Sequence, residues 1–246
     1  MTESKKLTDV KNWLRANNIA DIEVLVSDFA GISRGKLMPS AKFIDGLRHR
    51  GHRVPEALFG LAINCGFSYN EFITELEEDL FLQPDLKTLR VVPWHSTPTA
   101  CVICDPMRDK GEPTNIAPRQ VLRNVIKLYN DRGWQPIVAP EFEFFLIARQ
   151  DKIESTPMPP RGRSGKVAWD TGELSIDGLE EFNRYFSDVH KFCDIMDVQV
   201  HTLTHEAGPG QFEFNITHGD PLAVADQSFL FKRIIKQTAI RHDMFA

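Results

Sequence analysis

The sequence of 246 residues has no apolar run long enough to cross a bilayer, which argues against a helical membrane protein. It has no cluster of lysines and arginines, and its formal net charge is −5, so it offers no basic footprint for nucleic acid. The opening stretch MTESKKLTDVKNWLRANN lacks an apolar signal core, and the chain reads as mature and cytoplasmic. Cysteine is scarce, with four in all. Cys101 and Cys104 make a lone CxxC in PTACVICDP, with no second ligand pair at the spacing zinc requires. That stretch reads as a buried strand in which cysteine acts as a small hydrophobe. No internal repeat is visible. What remains is a chain 42% hydrophobic, with length for a substantial core in one or two domains.

Periodicity predicts a helix over residues 4–17, with Leu7, Val10 and Leu14 on one face. DIEVLVSDFAGISRGKLMP reads as strand, turn and strand, with Gly31 in the turn. A helix over SAKFIDGLRHRG follows, then an irregular stretch over 55–80, then strands in TLRVVPW and TACVICD. The polar segment DPMRDKGEPTNIAP is the candidate linker. Beyond it lie a helix over PRQVLRNVIKLYNDRG and a strand over WQPIVAPEFEFFLIA. A proline-rich loop comes next, then one helix of about twenty residues in DGLEEFNRYFSDVHKFCDIM, judged by its period. Strands over VQVHTLTHE and QFEFNIT are joined by a GPG turn. A long amphipathic helix then runs almost to the last residue.

Two of these strands carry acids where an ordinary strand would carry threonine or lysine. Alternate residues share a face, so Glu141 and Glu143 point one way while Phe142, Phe144 and Leu146 point the other. QFEFNIT repeats the design: Gln211, Glu213 and Asn215 face one side, Phe212, Phe214 and Ile216 the other. Glu206 lies just across the AGPG turn from Glu213, so the two can converge. A half-exposed sheet with glutamates in water shows the same alternation. Against that, the acids are concentrated and the turn between Glu206 and Glu213 is constrained. Converging carboxylates need a cation between them, and an all-oxygen site suits Mg²⁺ or Mn²⁺ rather than zinc. His205 adjoins Glu206 but falls on the opposite face of a regular strand.

At APEFEFFL (139–146), HEAGPGQFEFN (205–215) and HGDPLAVADQSFLFKRIIKQTAIRHDMFA (218–246), the chain resembles glutamine synthetases, within them the γ-glutamyl-polyamine synthetase branch. VSDFAGISRGKLMP and VICDP agree with that family's N-terminal part, so the resemblance covers essentially the whole chain. It implies an α+β protein: an N-terminal β-grasp domain over 1–108, then over 109–246 the first portion of a catalytic domain with a curved antiparallel sheet. By position, Glu143, Glu206 and Glu213 would hold one divalent metal, Mg²⁺ or Mn²⁺, and Glu141 would contribute to a second. Thr204 and His205 lie where relatives place groups near the nucleotide, and Gln211 and Asn215 are candidates for orienting the carboxylates. The implied chemistry joins the γ-carboxyl of glutamate to an amine. ATP phosphorylates the carboxylate and the amine attacks the acyl phosphate. Family members assemble into double rings, so a homo-oligomer, a dodecamer, is implied.

Two departures qualify the resemblance. Family members continue past the point where this sequence stops, into a segment bearing a histidine ligand, another metal glutamate and substrate-binding arginines. Residues 1–246 alone are therefore expected not to catalyse. Ammonia-using relatives also carry FDGSS, whose aspartate helps deprotonate ammonium, where this chain has LFGLAINCG (58–66) with no acid. That implies an amine larger than ammonia, a polyamine such as putrescine. Glutamine synthetase itself is the nearest alternative, and a non-catalytic assembly protein of the same family is an alternative of another class.

Overall fold

Five consecutive residues of strand β1 (Asp21–Ser27), from Ile22 to Val26, are buried, so this strand is covered on both faces. It pairs antiparallel with β2 (Ser33–Pro39) through a turn where Gly31 takes φ +67°, and parallel with β6 (Thr99–Met107). The structure is a computed structural model that describes residues 3–49, 51–61, 66, 73, 78–108, 111–150, 152, 154–169 and 172–246. Those residues form two compact units, Met1–Pro136 and Ile137–Ala246. The candidate linker thus falls inside the first unit, whose limit lies beyond residue 108.

In the first unit the sheet runs β2-β1-β6-β4-β3, with β3 at Arg53–Pro55 and β4 at Asp79–Pro84; β5 (Arg90–Val92) also pairs with β6. Helices α1 (Glu3–Ala16) and α2 (Ser40–His49) contribute Val10, Leu14 and Phe43 to its core. Cys101 and Cys104 are buried in β6 without a disulfide, as their apolar neighbours predict. Burial pushes the Cys104 thiol well above its usual range, so it stays protonated and unreactive. The sequence pattern did not reveal β4, whose DLFLQP alternation begins directly after an acidic run.

Helix α3 (Pro118–Asn130) carries no buried residue, and Val121, Val125 and Leu128 are exposed. It is tied to the sheet by charge instead. Arg119 donates to Asp105 at 2.6 Å and to Asp85 at 2.7 Å, and Arg123 reaches Asp105 at 2.9 Å.

In the second unit, β7 (Glu141–Phe145), β10 (Gln211–Ile216) and β9 (Val200–His205) form an antiparallel sheet in the order β7-β10-β9. One face is packed against α5 (Asn183–Met196) and α6 (Pro221–Arg241). Phe186 meets Phe212 edge-on at 4.9 Å, and Phe231 meets Phe142 and Phe214, each at 5.2 Å. The single helix expected over 177–196 is broken into α4 (Ile176–Glu180) and α5. At the break Glu181 turns outward, and both its carbonyl and its carboxylate accept from the loop at Arg163 and Ser164. The last helix also stops early. Asp243 takes φ +56° and Met244–Phe245 becomes β11, paired with β8 (Ile147–Ala148).

Burial raises the Asp85 carboxyl, but the hydrogen bond and charge of Arg119, aided by Arg123, outweigh it and hold the carboxyl below its ordinary value of 3.8. A depressed carboxylate stabilises the native state above that value, and the stabilisation is lost as pH falls through the lowered one. Arg119→Met leaves two partly buried carboxylates without their main partner. It is expected to destabilise the first unit by about 3–5 kcal/mol at pH 7, and by less in acid, when followed by urea unfolding. An equal loss at both pH values would show that the network is not electrostatic.

Candidate functional site

Antiparallel register decides which side chains meet. Glu213 of β10 lies directly opposite Glu143 of β7 on one side and Thr204 of β9 on the other. The next row on this face holds Glu141, Asn215 and Thr202. On the turn side, Gln211 lies opposite Phe145, and its carbonyl accepts from the N–H of Glu206 at 2.9 Å. The sheet therefore brings Glu141, Glu143, Glu213, Thr204, Gln211 and Asn215 onto one face, with Glu206 at its edge.

The opposite face carries Phe142, Phe144, Phe212 and Phe214, the last two fully buried. His205 belongs to that face. It pairs with Phe212, lies against its ring at 5.1 Å, and is buried. Gly178 in α4 permits this packing, because a Cβ there would come within 2.6 Å of the imidazole. The ring of His205 is thus turned away from the carboxylates, as strand alternation predicts.

The carboxylates are not neutralised from within. Arg149, the base nearest to PEFEFFL in sequence, reaches Asp243 instead, at 3.4 Å. Among the described residues no ion pair joins a lysine or arginine to Glu141, Glu143, Glu206 or Glu213. The Glu213 carboxyl is raised above the usual range by burial, by the charges of Glu206, Glu141 and Glu143, and by a hydrogen bond with Glu206. Every one of the other three glutamates therefore acts on Glu213. Two neutral amides also steady the cluster. Gln211 donates to Glu143 at 2.7 Å and Asn215 to Glu213 at 2.6 Å.

A cluster of hard, uncompensated oxygens fits Mg²⁺ or Mn²⁺ in chemistry. Its side chains are not drawn together as ligands: among the described residues no group of three His, Cys, Asp or Glu is close enough to hold a metal. Two residues of this face escaped the sequence reading. Phe145, 49% exposed, shares it with Glu143, and the second phenylalanine of EFF was the available signal. Thr202 donates to Asn215, and it lies one alternation before Thr204. In LFGLAINCG, the positions 62–65 lie outside the described residues.

For Glu213 the native state binds a proton more readily than the unfolded chain, so its contribution falls as pH rises through the raised value. Glu213→Gln is expected to raise the melting temperature at pH 7 in chelator, and to lose that advantage towards pH 4. A variant less stable than the wild type at pH 7 would mean that Glu213 is not repelled.

Comparison with known proteins places these strands. A family model, glutamine synthetase, catalytic domain, matches residues 115–246. Over 254 residues the chain is 30% identical to a glutamate–isopropylamine ligase from a Pseudomonas species, covering 98% of this chain and 53% of the relative. It is 29% identical to the gamma-glutamylputrescine synthetase PuuA of Escherichia coli K12, covering 97% and 51%. A glutamine synthetase of Halobacterium salinarum is 30% identical, covering 100% and 51%. The chain thus spans about half the length of the curated relatives it matches. Among solved structures, apo GmaS without ligand superposes with a TM-score of 0.76 at 22% identity, over 94% of this chain and 50% of that one. The family model covers more than half of the chain and all three strands that gather the glutamates, and on that match the chain belongs to the glutamine synthetase family.

Proposed function

We propose that this chain carries part of the active site of an ATP-dependent ligase that joins the γ-carboxyl of glutamate to an amine. The observation that carries the reading is the convergence of Glu206, Glu141 and Glu143 on Glu213 with no lysine or arginine in an ion pair with them among the described residues. Glu143, Glu206 and Glu213 would hold one Mg²⁺ or Mn²⁺, and Glu141 would contribute to a second. Bound there, divalent cations supply positive charge against phosphate oxygens, as phosphoryl transfer requires. The glutamates then serve as ligands rather than as acids or bases, and Thr204 is the residue of this face closest to a nucleotide role. His205 would act through packing beneath Glu206.

The amine is inferred to be larger than ammonia, and a polyamine such as putrescine fits the reading. Two relatives named for amine substrates support it, as does the absence of an acid in LFGLAINCG. In the reaction the γ-carboxylate takes a phosphoryl group from ATP. The amine then forms the amide bond as phosphate leaves. The first 108 residues would form the family's β-grasp domain, and residues 109–246 would begin the catalytic one. Assembly into a ring of like chains, a dodecamer, and a cytoplasmic location complete the proposal. No helix among the described residues is long and apolar enough to cross a membrane.

The metal reading predicts stabilisation by mass action, about 2.7 kcal/mol at a cation concentration 100 times its dissociation constant. Thermal unfolding with and without millimolar Mg²⁺ or Mn²⁺ measures it. The gain should vanish in Glu143→Gln and Glu213→Gln, and a wild-type chain indifferent to both cations overturns the reading. Residues 1–246 alone are expected to form no product from glutamate, ATP and amine. Joined to the C-terminal half of the isopropylamine-ligase relative, they are expected to prefer putrescine or isopropylamine to ammonium. A preference for ammonium would overturn the amine assignment and leave the metal site standing.

A further inference from the structure

Each of the two carboxylates that face one another across β7 and β10 is gripped by a side-chain amide, and each amide is gripped in turn. Gln211 Nε2 donates to Glu143 Oε2 at 2.7 Å, while its own Oε1 accepts from the backbone N–H of Gly208 at 3.0 Å. Asn215 Nδ2 donates to Glu213 Oε1 at 2.6 Å, while its Oδ1 accepts from the hydroxyl of Thr202. The polarity of both chains is forced. A backbone N–H can only donate, so the amide oxygen of Gln211 must face Gly208 and its NH₂ must face Glu143. An ionised carboxylate can only accept, so the NH₂ of Asn215 must face Glu213.

The two grips pull in opposite directions. Gln211 sits in the row of Phe145, on the turn side of Glu143, whereas Asn215 sits in the row of Glu141, on the far side of Glu213. Like charges directly opposite on a sheet repel, and the two amides hold them from opposite ends of the row. An arginine or lysine could do the same only by adding a charge that competes with an incoming cation. An amide orients the carboxylate without spending its charge.

We propose that Gln211 and Asn215 are positioning residues that orient the carboxylates of Glu143 and Glu213 for a divalent cation, with Gly208 and Thr202 fixing the two amides. The proposal rests on the metal reading above. Gly208 enters for a steric reason. A Cβ there would stand 2.5 Å from Gln211 Oε1 and 2.9 Å from the Phe145 ring, while its backbone is not in the left-handed region. Gly208→Ala therefore displaces the Gln211 amide without altering any carboxylate or amide.

The test is titration calorimetry of the 246-residue chain with MnCl₂ and MgCl₂, with the electron spin resonance signal of free Mn²⁺ as a second readout. Gln211→Met, Asn215→Leu and Gly208→Ala are each expected to weaken cation binding by about 10- to 100-fold, the usual effect of removing a group that orients a ligand. The double variant of Gln211→Met with Gly208→Ala should bind no more weakly than Gln211→Met alone, because both remove one hold. Circular dichroism checks the fold. Should Gln211→Met not fold, Gln211→Asn draws the amide back by one methylene and is expected to show the same loss. Variants that bind as tightly as the wild type, or more tightly, overturn the proposal and leave the metal reading intact, as does full additivity in the double variant. Absence of cation binding by the wild type overturns both.

Discussion

Burial of phenylalanine on one face of the β7-β10-β9 sheet is the constraint from which the arrangement of acids on the other face follows. Phe212 and Phe214 are fully enclosed by α5, α6 and their neighbours. Burying one such side chain stabilises by about 1.5–3 kcal/mol, whereas a cross-strand side-chain pair is worth only about 0.2–1 kcal/mol, and a like-charged pair counts against the sheet on that smaller scale. Packing therefore wins, and the register that buries the rings sets Glu143 opposite Glu213. A slip of one residue would exchange the faces and expose the phenylalanines. The protein tolerates the repulsion because the same strands cannot avoid it without losing their core.

The chain handles acidic residues in two different ways. In the first unit, Asp85 and Asp105 are each met by Arg119, and Arg123 adds a further contact. Those carboxylates are satisfied, and their role is to fasten α3 to the sheet. On the carboxylate face of the second unit two side-chain amides donate to the acids, a hydroxyl steadies one of those amides, and no lysine or arginine forms an ion pair with the acids among the described residues. The charge there is left available. The contrast between a neutralised network and an uncompensated one separates a structural cluster from a candidate site more clearly than the number of acids does.

Much of this could be read in advance because it depends on local rules. Two-residue alternation assigned Glu141, Glu143 and Glu213 to one face and the phenylalanines to the other, and it placed His205 opposite Glu206. The GPG turn brought Glu206 close to Glu213. Apolar neighbours marked Cys101 and Cys104 as core. Local rules misjudged the helix over 177–196. Its period is continuous, but the carbonyl and carboxylate of Glu181 are recruited by a loop some seventeen residues away. They also missed that α3, strongly amphipathic in sequence, is attached to its unit through arginines rather than through its apolar residues.

The sequence by itself determined which residue types alternate, where turns are cheap, and that four glutamates lie on or beside strands, since these follow from side-chain periodicity and backbone preference. Only the tertiary structure decided that Glu143 faces Glu213, that Gln211 and Asn215 grip them in opposite directions, and that no arginine or lysine pairs with them among the described residues. Those outcomes depend on pairing between strands some seventy residues apart. Register between distant strands is set by the shared burial of their apolar face, a property that neither strand possesses alone.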